Sequence, residues 1–178
     1  MSVLVVFESM FGDNQLLAHA IAEGLSTRTH VDVVEVGKAP TVIEQSVELL
    51  VVGGPTHMAS MSRPSSRQRA AREAKDGLVS SGIGLREWLA AVQNGSVKGE
   101  AVAFDTRLAR PRWLRLLSSS TRGIQKGLKQ RGFRMVAPPE HFLVAATAGP
   151  LLDGEAERAR RWGEQLASNL PVGGPTAA

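Results

Sequence analysis

Three short polar stretches carry the side chains able to do chemistry. The first, Glu8-Ser9-Met10-Phe11-Gly12-Asp13-Asn14, joins an apolar run directly to an amphipathic one. Gly12 permits a tight turn, while Ser9 and Asn14 offer short polar side chains. Free N–H groups at a helix start point at whatever sits above them, which makes such a turn an anion site, most naturally for a phosphate. The same stretch also reads as an ordinary strand-to-helix turn with Ser9, Asp13 or Asn14 capping the helix. The second stretch, Gly53-Gly54-Pro55-Thr56-His57-Met58, ends another apolar run. The third, Asp105-Thr106-Arg107, opens a segment rich in arginine.

Several chemistries find no support in the chain. There is no cysteine, hence no disulfide, thiol nucleophile or zinc ribbon. His19, His30, His57 and His141 are scattered without metal-ligand spacing, so no metal site is expected. A dinucleotide fold needs Gly-x-Gly-x-x-Gly after its first strand, where only Gly12 stands. No Gly-Lys-Ser/Thr phosphate loop and no Gly-x-Ser-x-Gly elbow occur. A response regulator wants an aspartate where the chain has Gly53-Gly54. Of the histidines, only His57 falls in a candidate loop, where it would lie beside a ligand or donate a proton to it.

These loops need elements to hold them. Ser2–Phe7 (SVLVVF) is too short and β-branched for a buried helix and reads as a central strand covered on both faces. Asn14–Leu25 follows with Leu17, Ala20, Ile21 and Leu25 at helical spacing. Further strands are expected at Val31–Val36, Glu48–Gly53 and Gly99–Asp105. Arg134–Ala137 and His141–Ala146 read as two short strands, or one interrupted at Pro138-Pro139. Helices are expected at Val42–Ser46, Pro64–Lys75, Gly84–Val92, around Ser119–Arg131, and at Glu155–Leu170. Trp88 and Trp162 stand among leucines and alanines as core. The pattern is α/β: a five-stranded parallel sheet with helices on both faces, in one domain over residues 1–170 with a fraying tail over 171–178. Ligands of such sheets bind beyond the carboxyl ends of the strands. Three loops leave those ends: Glu8–Asp13, Gly54–Arg63 and Asp105–Arg115.

Length and composition agree with one globular domain: 178 residues, 43% hydrophobic and 21% charged. No run approaches the ~20 apolar residues that span a bilayer, and the opening residues lack the pattern of a signal peptide, so the expected compartment is the cytoplasm. The net charge of +4 hides an asymmetry. Arg107, Arg110, Arg112, Arg115, Arg122, Lys126, Lys129, Arg131 and Arg134 are nine cations with no acid among them. Outside this segment 12 basic residues face 17 acidic ones, a balance of −5. Such a cluster either steers an acidic or phosphate-bearing partner or is a solvated helix face. Its only aromatics are Trp113 and Phe133, which argues against nucleic acid.

The three loops in their order resemble those of the flavodoxin family. Ser9-Met10-Phe11-Gly12-Asp13-Asn14 resembles that family's phosphate loop, usually Ser/Thr-x-Thr-Gly-x-Thr. Gly53-Gly54-Pro55-Thr56-His57 is similar to its second flavin loop, and Phe104-Asp105-Thr106-Arg107 falls where the third belongs. The resemblance implies a three-layer α/β sandwich with strand order 2-1-3-4-5 that holds one flavin mononucleotide (FMN) without a covalent bond. Ser9, Met10, Phe11, Gly12, Asp13 and Asn14 would then wrap the phosphate through backbone N–H groups. Pro55, Thr56, His57 and Met58 would border the ring, and Asp105, Thr106 and Arg107 would close its other side.

Phe11 and Asn14 replace residues whose hydroxyls donate to phosphate in that family. Asp13 adds a negative charge beside a dianion, tolerable where the acid turns away or caps the helix. The chain has no tyrosine to stack on the ring, and Trp113 reaches it only if its loop folds back. Cations near the ring favour a reduction potential above that of acidic flavodoxins. The function implied is electron transfer to or from a partner protein, acidic by complementarity, or a small acceptor. Two alternatives stand beside it: an interaction module that binds little flavin and works through its basic face, and an FMN-dependent quinone-type reductase.

Overall fold

The computed structural model describes residues 2–56, 60–74, 77–95, 99–110 and 120–170. His57, Met58, Arg112, Trp113, Arg115 and the expected tail over 171–178 lie outside them. β1 (Ser2–Phe7) is buried on both faces because its side chains alternate between two cores. Val3, Val5 and Phe7 join one core with Leu17 and Ile21 of α1 (Asp13–Leu25) and Trp162 of α5 (Glu155–Asn169). Leu4 and Val6 join the other with Trp88 of α3 (Leu85–Ala91) and Ile124 and Leu128 of α4 (Ser120–Gln130).

The remaining strands line up in parallel beside β1. β2 (His30–Glu35) pairs with one side of it and β4 (Val47–Pro55) with the other. β6 (Glu100–Leu108) pairs with β4, and both β7 (Arg134–Met135) and β8 (Glu140–Val144) pair with the far side of β6. The expected order 2-1-3-4-5 is therefore present, with the fifth strand in two pieces flanking Pro138-Pro139. The chain enters and leaves β1 between strands running to opposite edges, so the strand order reverses there and the carboxyl ends form a crevice.

Three glycines mark close approaches. A Cβ on Gly53 would meet the Phe104 ring at 2.1 Å, so the second apolar strand ends in glycine where that ring crosses it. α1 and α5 touch backbone to backbone: a Cβ on Gly24 would lie 2.1 Å from the Arg160 carbonyl oxygen, and one on Gly163 2.2 Å from that of Ile21.

Two expectations change. Val42–Ser46 is not a helix: a 3-10 turn forms at Val36–Lys38, and β3 (Val42–Ile43) pairs with β5 (Gln93–Asn94) in a small separate sheet. The β-branched run Thr41-Val42-Ile43 prefers extended backbone, and Thr41 and Ile43 accept from the amides of Gln93 and Gly95. Thr106 and Arg107, expected to lie beyond a strand ending at Asp105, do not leave the sheet either. β6 continues to Leu108, because β8 pairs with residues Phe104–Leu108.

Candidate functional site

The loop after β1 turns sharply into α1 through Gly12, whose φ of 102° belongs to the left-handed region. Ser9 Oγ accepts the Gly12 amide at 3.1 Å, and the Ser9 amide donates to Ser80 Oγ at 3.0 Å. The loop is further sewn to the 79–80 segment by backbone bonds from Val79 to Met10 and from Ser80 to Ser9. Leu16 is the first α1 residue to bond back, to the Gly12 carbonyl, leaving first-turn amides aimed out of the helix. None of Ser9, Asp13 or Asn14 caps the helix with its side chain.

Asp13 instead accepts the Leu151 amide at 3.1 Å, and burial pushes its carboxyl above the ordinary range. Asn14 is 2% exposed, and its Nδ2 donates to Thr106 Oγ1 at 3.1 Å. Its Oδ1 is buried without a partner among the described residues.

A cleft of about 490 Å³ opens over the strand ends, within the roughly 300–1,000 Å³ typical of small-ligand sites. One wall is apolar, from Phe11, Pro55, Leu108 and Val144, with Thr56 and Thr106 between them. The other is α2 (Pro64–Glu73), which contributes Ser65, Ser66, Arg69, Ala70 and Glu73. A smaller lobe of about 20 Å³ reaches the first loop at Ser9, Met10, Asp13 and Asn14. That is room for about one water.

Behind the cleft lies a polar network that the sequence did not announce. Asp105, fully buried, accepts on Oδ1 from Arg107 Nε at 3.1 Å and from His141 Nδ1 at 2.7 Å. On Oδ2 it accepts from Thr56 Oγ1 at 3.2 Å, the Ser120 hydroxyl at 3.4 Å and the Thr121 amide at 3.3 Å. Asp105 and Arg107 thus sit on the α4 side of the sheet and do not border the cleft; Thr106, between them, does. The carboxylate ties the segment after β4 to the first turn of α4.

A second buried acid stands at the end of β1. Glu8 accepts from the Ser62 hydroxyl in a short hydrogen bond and from the Leu85 amide at 2.8 Å. Burial, the largest influence, raises its pKa above the ordinary 4.5, against the lowering effect of these donors and of Arg67. Arg67 bonds Ser62 Oγ and pairs with Glu87 of α3 at 2.8 Å, so this cluster holds α2 against α3. The roles of His141 and Glu8 are not legible locally, because their partners lie 36, 54 and 77 residues away.

The first loop, Pro55, Thr56 and Thr106 are thus brought to one place, with Asp105 and Arg107 behind them. The outward-facing backbone amides on the first turn of α1 suit an anion. The buried Asn14 amide beside them leaves its Oδ1, an acceptor, unmatched among the described residues, and joins the donors only when turned about.

No family model and no curated protein matches the sequence. Solved structures do. A flavodoxin from the domain Archaea superposes with a TM-score of 0.61 at 17% identity, covering 94% of this chain and 97% of that one. Oxidised flavodoxin 1 from Bacillus cereus gives 0.63 at 14% identity, covering 96% and 100%. Rubredoxin oxygen:oxidoreductase from Desulfovibrio gigas gives 0.53 at 15%, with 94% of this chain covering 35% of that one. Likeness at such low identity speaks to architecture, and it agrees with the strand order and helix layers: the chain has a flavodoxin-like fold.

Proposed function

We propose that the cleft holds FMN and that the protein passes electrons between it and a partner protein or small acceptor. Asn14 carries this reading. Its amide is 2% exposed, lies on the first turn of a 13-residue helix and leaves one polar atom unmatched. The two ends of a side-chain amide are alike in shape. Turned about, Oδ1 accepts the Thr106 hydroxyl and the NH2 group becomes the unmatched end, a further donor on the first turn of α1. Such a cluster of donors at a helix start suits a phosphate.

When bound, the flavin supplies the ring that carries the electrons. The chain's task is to hold it. Ser9 through Asn14 would surround the phosphate, with Asp13 tied to Leu151 rather than free to oppose it. Pro55 and Thr56, followed in sequence by His57 and Met58, would border the ring, and Phe11 offers an aromatic face on the same wall. Asp105 and Arg107 would act from behind by fixing Thr56, while Thr106 orients Asn14.

Arg122, Lys126 and Lys129 are exposed on one face of α4, the one described helix without an acid. Its first turn bonds Thr56 and Asp105. An acidic redox partner would meet this face beside the cleft.

One observation favours the alternative of an interaction module with little flavin. The lobe at the first loop is about 20 Å³, and the Ser9 and Gly12 amides are already bonded within the protein, so the loop must open to admit a phosphate. Calorimetric titration with FMN and with riboflavin separates the two readings. The expected result is FMN binding at least about tenfold tighter than riboflavin, the contribution of charged hydrogen bonds to the phosphate. No heat with either ligand, or equal affinities, overturns the phosphate assignment.

A further inference from the structure

Helix α2 is inverted for a helix that merely packs. Its ten residues, PSSRQRAARE, contain no Leu, Ile, Val, Met or aromatic side chain, and only Arg67 and Ala70 are buried. A core-facing helix normally turns an apolar stripe inward. Here Ser65, Ser66, Arg69, Ala70 and Glu73, all on one helical face, line the cleft. What keeps α2 in place is polar and lies elsewhere on the helix: Arg67 clamps it to Glu87 and Ser62. Apart from buried Ala70 and the capping Ser66, the cleft-facing side carries no packing duty, and it shares the cleft with apolar Phe11, Pro55, Leu108 and Val144.

We propose that Arg69 and Glu73 are specificity-determining residues that read the polar edge of a flat heteroaromatic ring resting on that apolar wall. They bond each other through Arg69 Nε and Glu73 Oε1 at 3.2 Å, with side chains 81% and 52% exposed. Among the described residues the Nη hydrogens of Arg69 and Glu73 Oε2 remain for a ligand. One turn apart, the two present a donor beside an acceptor. The complementary edge alternates C=O and N–H, as in the pyrimidinedione of a flavin. Arg69 would donate to a ring carbonyl and Glu73 accept from a ring N–H. The inference rests on the flavin reading for the ring's identity, but not on the phosphate.

The test uses the full-length protein and two ring compounds without side chain or phosphate: lumichrome and its 1,3-dimethyl derivative, which has lost both ring N–H groups. The wild-type protein is expected to bind lumichrome about tenfold tighter than the derivative. Glu73→Ala removes this preference. Arg69→Leu weakens both compounds about tenfold, and Arg69→Lys restores part of the loss. Both side chains are exposed, so the variants should melt within a few degrees of wild type, which circular dichroism checks. Absence of ring binding, or an unchanged preference in Glu73→Ala, overturns the proposal. The FMN-to-riboflavin ratio in the same variants reports on the first loop alone. A ratio of one in a protein that keeps its Glu73-dependent ring preference defeats the phosphate reading and leaves this one standing; the opposite pattern does the reverse.

Discussion

His141 Nδ1 lies 2.7 Å from Asp105 Oδ1, while Arg107 Nη2 lies 2.9 Å from His141 Nε2. A guanidinium has no lone pair to offer, so Nε2 must accept and the ring hydrogen must sit on Nδ1. The imidazole is thereby held between a buried carboxylate and a guanidinium. β8 meets β6 through this contact at the residue pair Asp105 and His141.

Removing that anion should be expensive. Asp105→Ala takes away the buried carboxylate that Arg107 and His141 both meet, and a broken buried ion pair costs about 3–5 kcal/mol. Urea unfolding of the variant is expected to show a loss of this size, with Asp105→Asn losing less. A loss below about 1 kcal/mol would mean that the network is worth no more than an exposed pair.

Glu8 links stability to pH. Burial raises its folded pKa above 4.5, so the folded protein keeps this proton to higher pH than the unfolded chain does. The stabilising contribution is whole below the ordinary value and is lost as pH rises through the folded one. Glu8→Gln, which can still accept the Leu85 amide, should gain on wild type as pH climbs from about 4.5 to neutrality. Asp13 is shifted in the same direction, so Asp13→Asn should reduce the slope further. Parallel pH profiles for wild type and Glu8→Gln would show that the carboxyl titrates as in water.

The contact between α1 and α5 has no room for a methyl group. Gly24→Ala and Gly163→Ala would each drive Cβ to about 2 Å from a backbone oxygen, a collision only helix separation relieves. Thermal unfolding should show a loss of 1–3 kcal/mol or more for each, the usual range for overpacking. The double variant should lose less than the sum, since one separation relieves both clashes.

A charge placed at Asn14 should discriminate between ligands. Asn14→Asp keeps the shape but sets a carboxylate among the donors of the first turn. FMN affinity is expected to fall about tenfold or more while riboflavin affinity stays within about twofold, since only one of them carries the anion. Equal losses for the two ligands would place the phosphate elsewhere.

Reversal of the α4 charges tests the docking face. With Arg122, Lys126 and Lys129 all changed to Glu, electron exchange with an acidic redox protein should slow at low ionic strength and lose its salt dependence. Stopped-flow rates that match wild type would remove this face from the encounter.

What the sequence made legible follows from short-range physics. The runs at Ser2–Phe7 and Leu49–Val52 are apolar on both faces because they lie mid-sheet, and the inward residues of α3 follow helical spacing. Asp105-Thr106-Arg107 reads as loop because polar triplets seldom lie in strands, yet here Asp105 and Arg107 satisfy each other and β8 continues the ladder. That pairing depends on a register set after Pro138-Pro139, which no local pattern reveals. α2 was legible as a helix, but its role as a cleft wall was not, since Arg67 finds its anchor 20 residues away in Glu87.

The broken outer strand has one more effect. Beside the nine residues of β6, the rim offers two residues, a break of four that ends in a proline pair, and then five residues, and prolines donate no hydrogen to a ladder. A passing polypeptide finds no long straight template there, so this flank of the sheet resists the edge-to-edge growth that turns stray β-structure into aggregates.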